Sequence, residues 1–95
     1  MLRIHPEARQ EFHRAAAYYR KISRELAKRF VLEVEEVFVK ILENPILYPI
    51  HSEDARAKLL HDFPYSIIYL TEKDNVYIVA IMHQKRMPNY WRNRL

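Results

Sequence analysis

His83 and Arg86 stand three residues apart at the end of an apolar run. Histidine gains and loses its proton nearest neutrality, so it can serve as base or acid. Arginine holds a phosphate through paired hydrogen bonds and stabilises charge that develops on it. Arg56 offers a second such cation, and Tyr90 a ring on which a base can stack. Metal-free RNA cleavage needs a base for the 2′-hydroxyl, cations on the phosphate, an acid for the leaving 5′-oxygen and a stacking surface. His83, Arg86, Arg56 and Tyr90 cover those roles by residue type. Lys85, Arg92, Arg94 and Lys58 are the further cations expected to meet a nucleic-acid backbone.

Each of these residues has a plainer alternative. His83 can be a hydrogen-bonded histidine at a strand end. Arg56 can be a structural ion-pair partner of Glu53, Asp54 or an acid on a helix. Tyr90 and Trp91 can cover an otherwise open sheet face, a use that suits a large aromatic in a small core. His61 is a further candidate, expected by strand alternation to leave the face shared by Arg56 and Lys58. Tyr18, Tyr19, Tyr65 and Tyr69 read as core. The five histidines show no metal-ligand spacing, so neither a metal nor a cofactor is expected.

The composition narrows the classes. With no cysteine there is no disulfide scaffold and no thiol nucleophile, which suits a reducing cytoplasm. With no glycine there is no P-loop, no dinucleotide fingerprint and no nucleophile elbow. No apolar run is long enough for a membrane helix, and the N-terminus lacks the apolar segment of a secretion signal. The expected setting is therefore the cytoplasm, with no membrane partner. The net charge is +4, and the whole surplus lies in Lys85, Arg86, Arg92 and Arg94, beyond the last acid. Such a tail, with Tyr90 and Trp91 among its cations, is either a polyanion footprint or a solvated terminus.

Ninety-five residues predict one domain, residues 1–95. Residues 2–5 alternate as an edge strand does. Pro6 suits a helix start, and Ala8, Phe12, Ala15, Ala16, Tyr19 and Ile22 form one apolar stripe. Ser23 is a good N-cap for a second helix, whose stripe is Leu26, Phe30, Val34, Val37, Phe38, Ile41 and Leu42. Asn44-Pro45 ends it. Arg24, Lys28 and Arg29 lie early in this helix and Glu33, Glu35, Glu36 and Glu43 late, opposing the helix dipole. That order marks a binding surface or is tolerated chance, and Glu35-Glu36 alone reads as a solvated face. Residues 45–54 form a loop, and residues 56–61, 65–71 and 76–83 are three strands. Lys73-Asp74-Asn75 is a hairpin turn in which Asp and Asn replace glycine.

Along the last strand Val76, Ile78, Ala80 and Met82 share one face by alternation, and Tyr77, Val79, Ile81 and His83 the other. Both faces are apolar, so both must be covered. The expected fold is α+β, with β-α-α-β-β-β order. It is an antiparallel sheet with an N-terminal helical hairpin on one face and a short C-terminal tail, including one helical turn after Pro88.

Nearly the full chain resembles the RelE/ParE superfamily of type II toxin–antitoxin toxins, often labelled plasmid stabilisation proteins. His5-Pro6-Glu7-Ala8, Glu11, Ala15 and Tyr18-Tyr19 resemble its first helix. Leu26-Ala27, Phe30, Glu33-Val34, Asn44-Pro45 and Tyr48-Pro49 resemble its second helix and exit loop, and Arg56, Phe63-Pro64-Tyr65 and Tyr69 its middle strands. His83, Arg86, Pro88, Tyr90-Trp91 and Arg92 match the ending of one subgroup. His51-Ser52-Glu53-Asp54 departs from a loop that often carries glycine. The resemblance implies a growth-inhibiting toxin neutralised by a small acidic antitoxin, with operator DNA met through that complex. RelE-like members cut mRNA on the ribosome, and their catalytic groups lie on the middle strands and at the C-terminal end. ParE-like members poison DNA gyrase and lack the ribonuclease residues. The expected function is mRNA cleavage; the alternatives are gyrase inhibition and a degenerate protein-binding module.

Overall fold

The computed structural model describes all residues, Met1–Leu95. Strand β1 (Leu2–Ile4) leads into helices α1 (Pro6–Ile22) and α2 (Arg24–Glu43), then β2 (Ile50–Ser52), β3 (Ala55–Leu59), β4 (Tyr65–Glu72) and β5 (Asn75–His83). A 3-10 turn, Arg92–Arg94, closes the tail. The sheet order is β1-β5-β4-β3-β2. This is the expected α+β layout, with two differences. The sheet is mixed, because β1 runs parallel to β5. The loop at residues 45–54 also contains β2, a short strand added to the β3 edge.

Local chemistry sets the helix ends. His5 caps α1, its Nδ1 accepting from the Glu7 N–H at 3.0 Å, and Pro6 occupies the first turn, where no donor is needed. Ser23 alone joins the helices. It is extended, its N–H donates to the Tyr19 carbonyl, and its Oγ accepts from the Leu26 N–H at 3.2 Å. One residue therefore ends one helix and caps the next. Phe30, Val34, Val37 and Ile41 of α2 join Ala15, Ala16 and Tyr19 of α1 in a core over Ile67, Tyr69, Ile78 and Ile81 of the sheet. The stripes fail at their ends, where Ile22 and Leu42 are exposed. Tyr18 is also exposed, not core.

The opposite sheet face carries Ala55, Ile68, Val79, Ala80 and Met82, closed over by a fully buried Trp91. Trp91 thus takes the covering role, though its indole Nε1 finds no partner. The tail is pinned beside it by Ser52 Oγ–Asn89 Oδ1 at 2.7 Å and by Arg92 Nε–Glu53 Oε1 at 3.4 Å.

The strict alternation expected along β5 does not hold. Ile68 pairs with Ala80 but Tyr69 pairs with Ile78, so Val79 is an extra residue in a β-bulge. A bulge switches the facing of the residues beyond it. Val76, Ile78 and Ile81 accordingly pack under the helices, while Val79, Ala80 and Met82 pack against Trp91. His83 lies with Ile81 on the helix side. The turn before β5 is Lys73-Asp74, since Glu72 pairs with Asn75, and Lys73 rather than Asn75 takes the positive φ of 54°.

Candidate functional site

The bulge delivers His83 and Arg86 to a cleft of about 360 Å³ between α1 and the end of β5. Arg14 and Tyr18 of α1, Tyr65 of β4 and the buried Glu11 complete its wall. The turn after β5 is held by Gln84, whose N–H donates to the Pro64 carbonyl and whose Nε2 donates to Ser66 Oγ at 2.7 Å. The His83 ring meets the Tyr65 ring edge-on at 5.0 Å. Its Nδ1 accepts from the Lys85 N–H at 3.0 Å. A backbone donor aimed at Nδ1 needs a lone pair there, so the neutral ring carries its proton on Nε2. In this arrangement His83 presents a donor, and general-base action would require breaking that hydrogen bond.

Arg86 and Tyr90 are together: the guanidinium lies 3.9 Å from the ring centroid. Such stacking leaves the guanidinium N–H groups free for an anion or a carbonyl. The Tyr90 hydroxyl donates to Glu11 Oε2 at 2.6 Å. Burial, the hydrogen bond to Glu11 and the charge of Glu11 together push the phenol far above its usual range. Tyr90 is therefore a fixed donor. Arg86 covers one side of its ring and the Arg94 guanidinium also lies over it, at 5.0 Å, so its use as a stacking platform is restricted.

Glu11 organises this end of the molecule. Strand β1 stops at Ile4, opposite Ile78, which leaves the edge of β5 bare beyond that point. Glu11 Oε1 accepts the Ile81 N–H there at 3.0 Å, and Arg94 Nη1 donates to the Val79 carbonyl at 3.1 Å. Arg94 also forks onto Glu11, Nη1 to Oε1 at 3.0 Å and Nη2 to Oε2 at 2.9 Å. The Arg94 and Glu11 side chains are only 6% and 5% exposed. Burial alone would lower the Arg94 pKa, but hydrogen bonds to Glu11 and its charge outweigh that and raise it. Arg94, expected as a nucleic-acid contact, is thus a buried structural cation whose guanidinium is taken by Glu11 and the Val79 carbonyl. Arg92 is exposed but paired with Glu53, which leaves Lys85 and Arg86 as the tail cations without an acidic partner.

Arg56 and Lys58 lie elsewhere. Arg56 pairs across the sheet with Tyr69, whereas His83 pairs with Tyr65, two strands over and four residues along. Those offsets separate the two backbones by roughly 15 Å. Arg56 Nη1 donates to the carbonyls of Tyr48 at 2.7 Å and Ile46 at 3.3 Å, and Tyr69 donates to that of Pro45 at 2.7 Å. Arg56, expected as a catalytic cation, is an anchor for the loop after α2, two strands away from His83. Lys58 lies over the Tyr48 ring and lines a second cleft under α2. His61 lines that same cleft, because β3 ends at Leu59 and strand alternation does not extend to it. No group of three or more His, Asp or Glu side chains is arranged to hold a metal.

Sequence reasoning assigned no role to Glu11. Its signal was present: it falls on the apolar stripe of α1, three residues after Ala8 and four before Ala15. A carboxylate on a buried face requires partners. No helix is long and apolar enough to cross a membrane.

Comparison with known proteins agrees with this layout. A solved structure titled as the chromosomal ParDE toxin–antitoxin system from P. aeruginosa superposes with a TM-score of 0.71 at 21% identity, covering 86% of this chain and 92% of that one. The isolated E. coli RelE toxin superposes with a TM-score of 0.61 at 16% identity, covering 98% and 93%. No curated protein sequence matches the chain. A family model for the ParE toxin of type II toxin–antitoxin systems matches residues 2–88, and the chain belongs to that family.

Proposed function

We propose that this toxin arrests growth by binding a protein target rather than by cutting RNA, with DNA gyrase the target class that its ParE membership suggests. The observation that carries the reading is the division of the four candidate catalytic residues. Arg56 serves the loop after α2, and the Tyr90 hydroxyl is committed to Glu11. That leaves His83, as a donor, and Arg86 at the cleft. Arg86 is exposed, stacked and without an acidic partner, which suits it as an anchor in a protein interface. Membership of the family implies an antitoxin partner. A small acidic, partly disordered antitoxin would order on the toxin surface, and the complex would meet operator DNA.

A second reading, mRNA cleavage on the ribosome, is favoured by one feature: Arg14, His83 and Arg86 line the same cleft as Tyr65, which puts cations for a phosphate and a ring for a base in one place. Induced expression separates the two readings. Gyrase inhibition predicts double-strand DNA breaks and an SOS response while mRNA half-lives hold. Rapid mRNA loss without DNA breaks would replace the first reading with the second.

A further inference from the structure

The outward face of α2 is charge-antisymmetric about one residue. Leu32 is 47% exposed and lies opposite the buried stripe. Arg29 and Glu35 flank it at three residues on either side, and Lys28 and Glu36 at four. Positions three and four apart share one helix face, so all five side chains form a single patch, and all five are exposed. Val39, 54% exposed, extends the apolar stripe one heptad further. Within the chain Lys28, Glu35 and Glu36 have no ion-pair partner, and Arg29 has only an exposed contact to Asp62 at 3.6 Å. The arrangement opposes the dipole of its own helix, so local helix stability does not account for it.

A two-fold axis through Leu32 accounts for it. Laying α2 antiparallel on the α2 of a second copy sets Leu32 against Leu32. Lys28 then faces Glu36 and Arg29 faces Glu35, each pair occurring twice. That is the self-complementary surface that an isologous contact requires. We infer that the outward face of α2 is a homodimer surface, with a second copy of this chain as its occupant. The patch is small and its ion pairs are open to solvent, so the dimer is weak and salt-sensitive, with a dissociation constant on the order of 100 μM.

The test uses the purified full chain in sedimentation experiments up to ~1 mM, where such a dimer is mostly formed. The wild type should associate at low salt and dissociate as salt is raised. Two charge-reversed variants sharpen this. K28E/R29E makes all four flanking charges negative, and E35K/E36K makes all four positive. Each should self-associate about tenfold more weakly than the wild type, or less still. Mixed in equal amounts, they should form a heterodimer in which all four facing pairs are opposite in sign. Circular dichroism confirms that both variants fold. A wild type that stays monomeric at low salt would overturn the proposal. So would self-association that ignores the reversals, or a mixture no more associated than its components. Growth arrest is a separate readout, so failure here leaves the proposed target untouched.

Discussion

At the β3 end of the sheet, Arg56 donates to the carbonyls of Tyr48 and Ile46, and Tyr69 donates to that of Pro45 beside it. At the β5 end, Arg86 meets no carboxylate and lies on the ring of Tyr90, which is itself held by Glu11. Both arginines come from the same basic composition. The difference is what the backbone leaves unsatisfied nearby. The loop after α2 offers carbonyls without partners, and Arg56 takes them. The bare edge of β5 is satisfied instead by Glu11 and Arg94, which frees Arg86. A buried ion pair at one position is what leaves an exposed cation available at another.

Breaking that ion pair has the largest expected effect. Glu11→Ala strands the Arg94 guanidinium and the Ile81 N–H, and should cost about 3 to 5 kcal/mol in urea unfolding. Glu11→Leu with Arg94→Met should recover much of that loss, because an apolar pair of similar volume needs no partners. A Glu11→Ala protein as stable as the wild type would show that the buried network is dispensable.

The contrast between the two arginines comes next in size. Arg56→Ala should cost about 1 to 2 kcal/mol through its lost carbonyl bonds, and a folded variant should still arrest growth. Arg86→Ala should stay within about 0.5 kcal/mol of wild-type stability and lose growth arrest. Folded variants with the opposite pattern, toxic without Arg86 and inactive without Arg56, would move the site to the β3 end.

The sequence carried the helices almost to the residue, since Pro6, Ser23 and Asn44-Pro45 act locally and the stripes have helical period. It also carried the need to cover the second sheet face, and Trp91 as the cover. Three things were not legible. The bulge at Val79 shows only in the pairing with β4, and it changes which side chains share a face with His83. The parallel pairing of β1 depends on where α1 and α2 return the chain. The division of the candidate residues came from neither spacing nor type. Arg56 read as a catalytic cation or an ion-pair partner of an acid, and Arg94 as a nucleic-acid cation, until the carbonyls and the carboxylate they serve were in place.

The absence of glycine gives a smaller test at the β3 end. Ser52 pairs with Ala55, so Glu53 and Asp54 form a two-residue turn with φ of 54° and 66°. Both are in the left-handed region, where a side chain with a Cβ is disfavoured. Asp54→Gly should therefore stabilise the protein by up to about 1 kcal/mol, with growth arrest unchanged. Destabilisation instead would mean that the Asp54 side chain supports the turn in a way its dihedrals do not reveal.

The last test is a pH dependence at the β5 end. Tyr90 has its pKa raised, by burial first and then by Glu11, and Tyr65, Tyr19 and Tyr69 are raised chiefly by burial. A phenol raised in the folded state contributes stability that is complete below its unfolded pKa of 10.0 and lost as pH rises toward the folded value. Stability should therefore be flat with respect to these groups near neutrality and fall above about pH 10. Tyr90→Phe removes one of these ionisations. It should lower stability near neutrality by about 1 to 3 kcal/mol, because the bond to Glu11 is lost. Above about pH 10 its unfolding free energy should fall less steeply than the wild type's, by about one proton. Chemical unfolding at a series of pH values measures both quantities. Parallel curves for the two proteins would show that the phenol titrates alike folded and unfolded, and that Glu11 does not hold its proton.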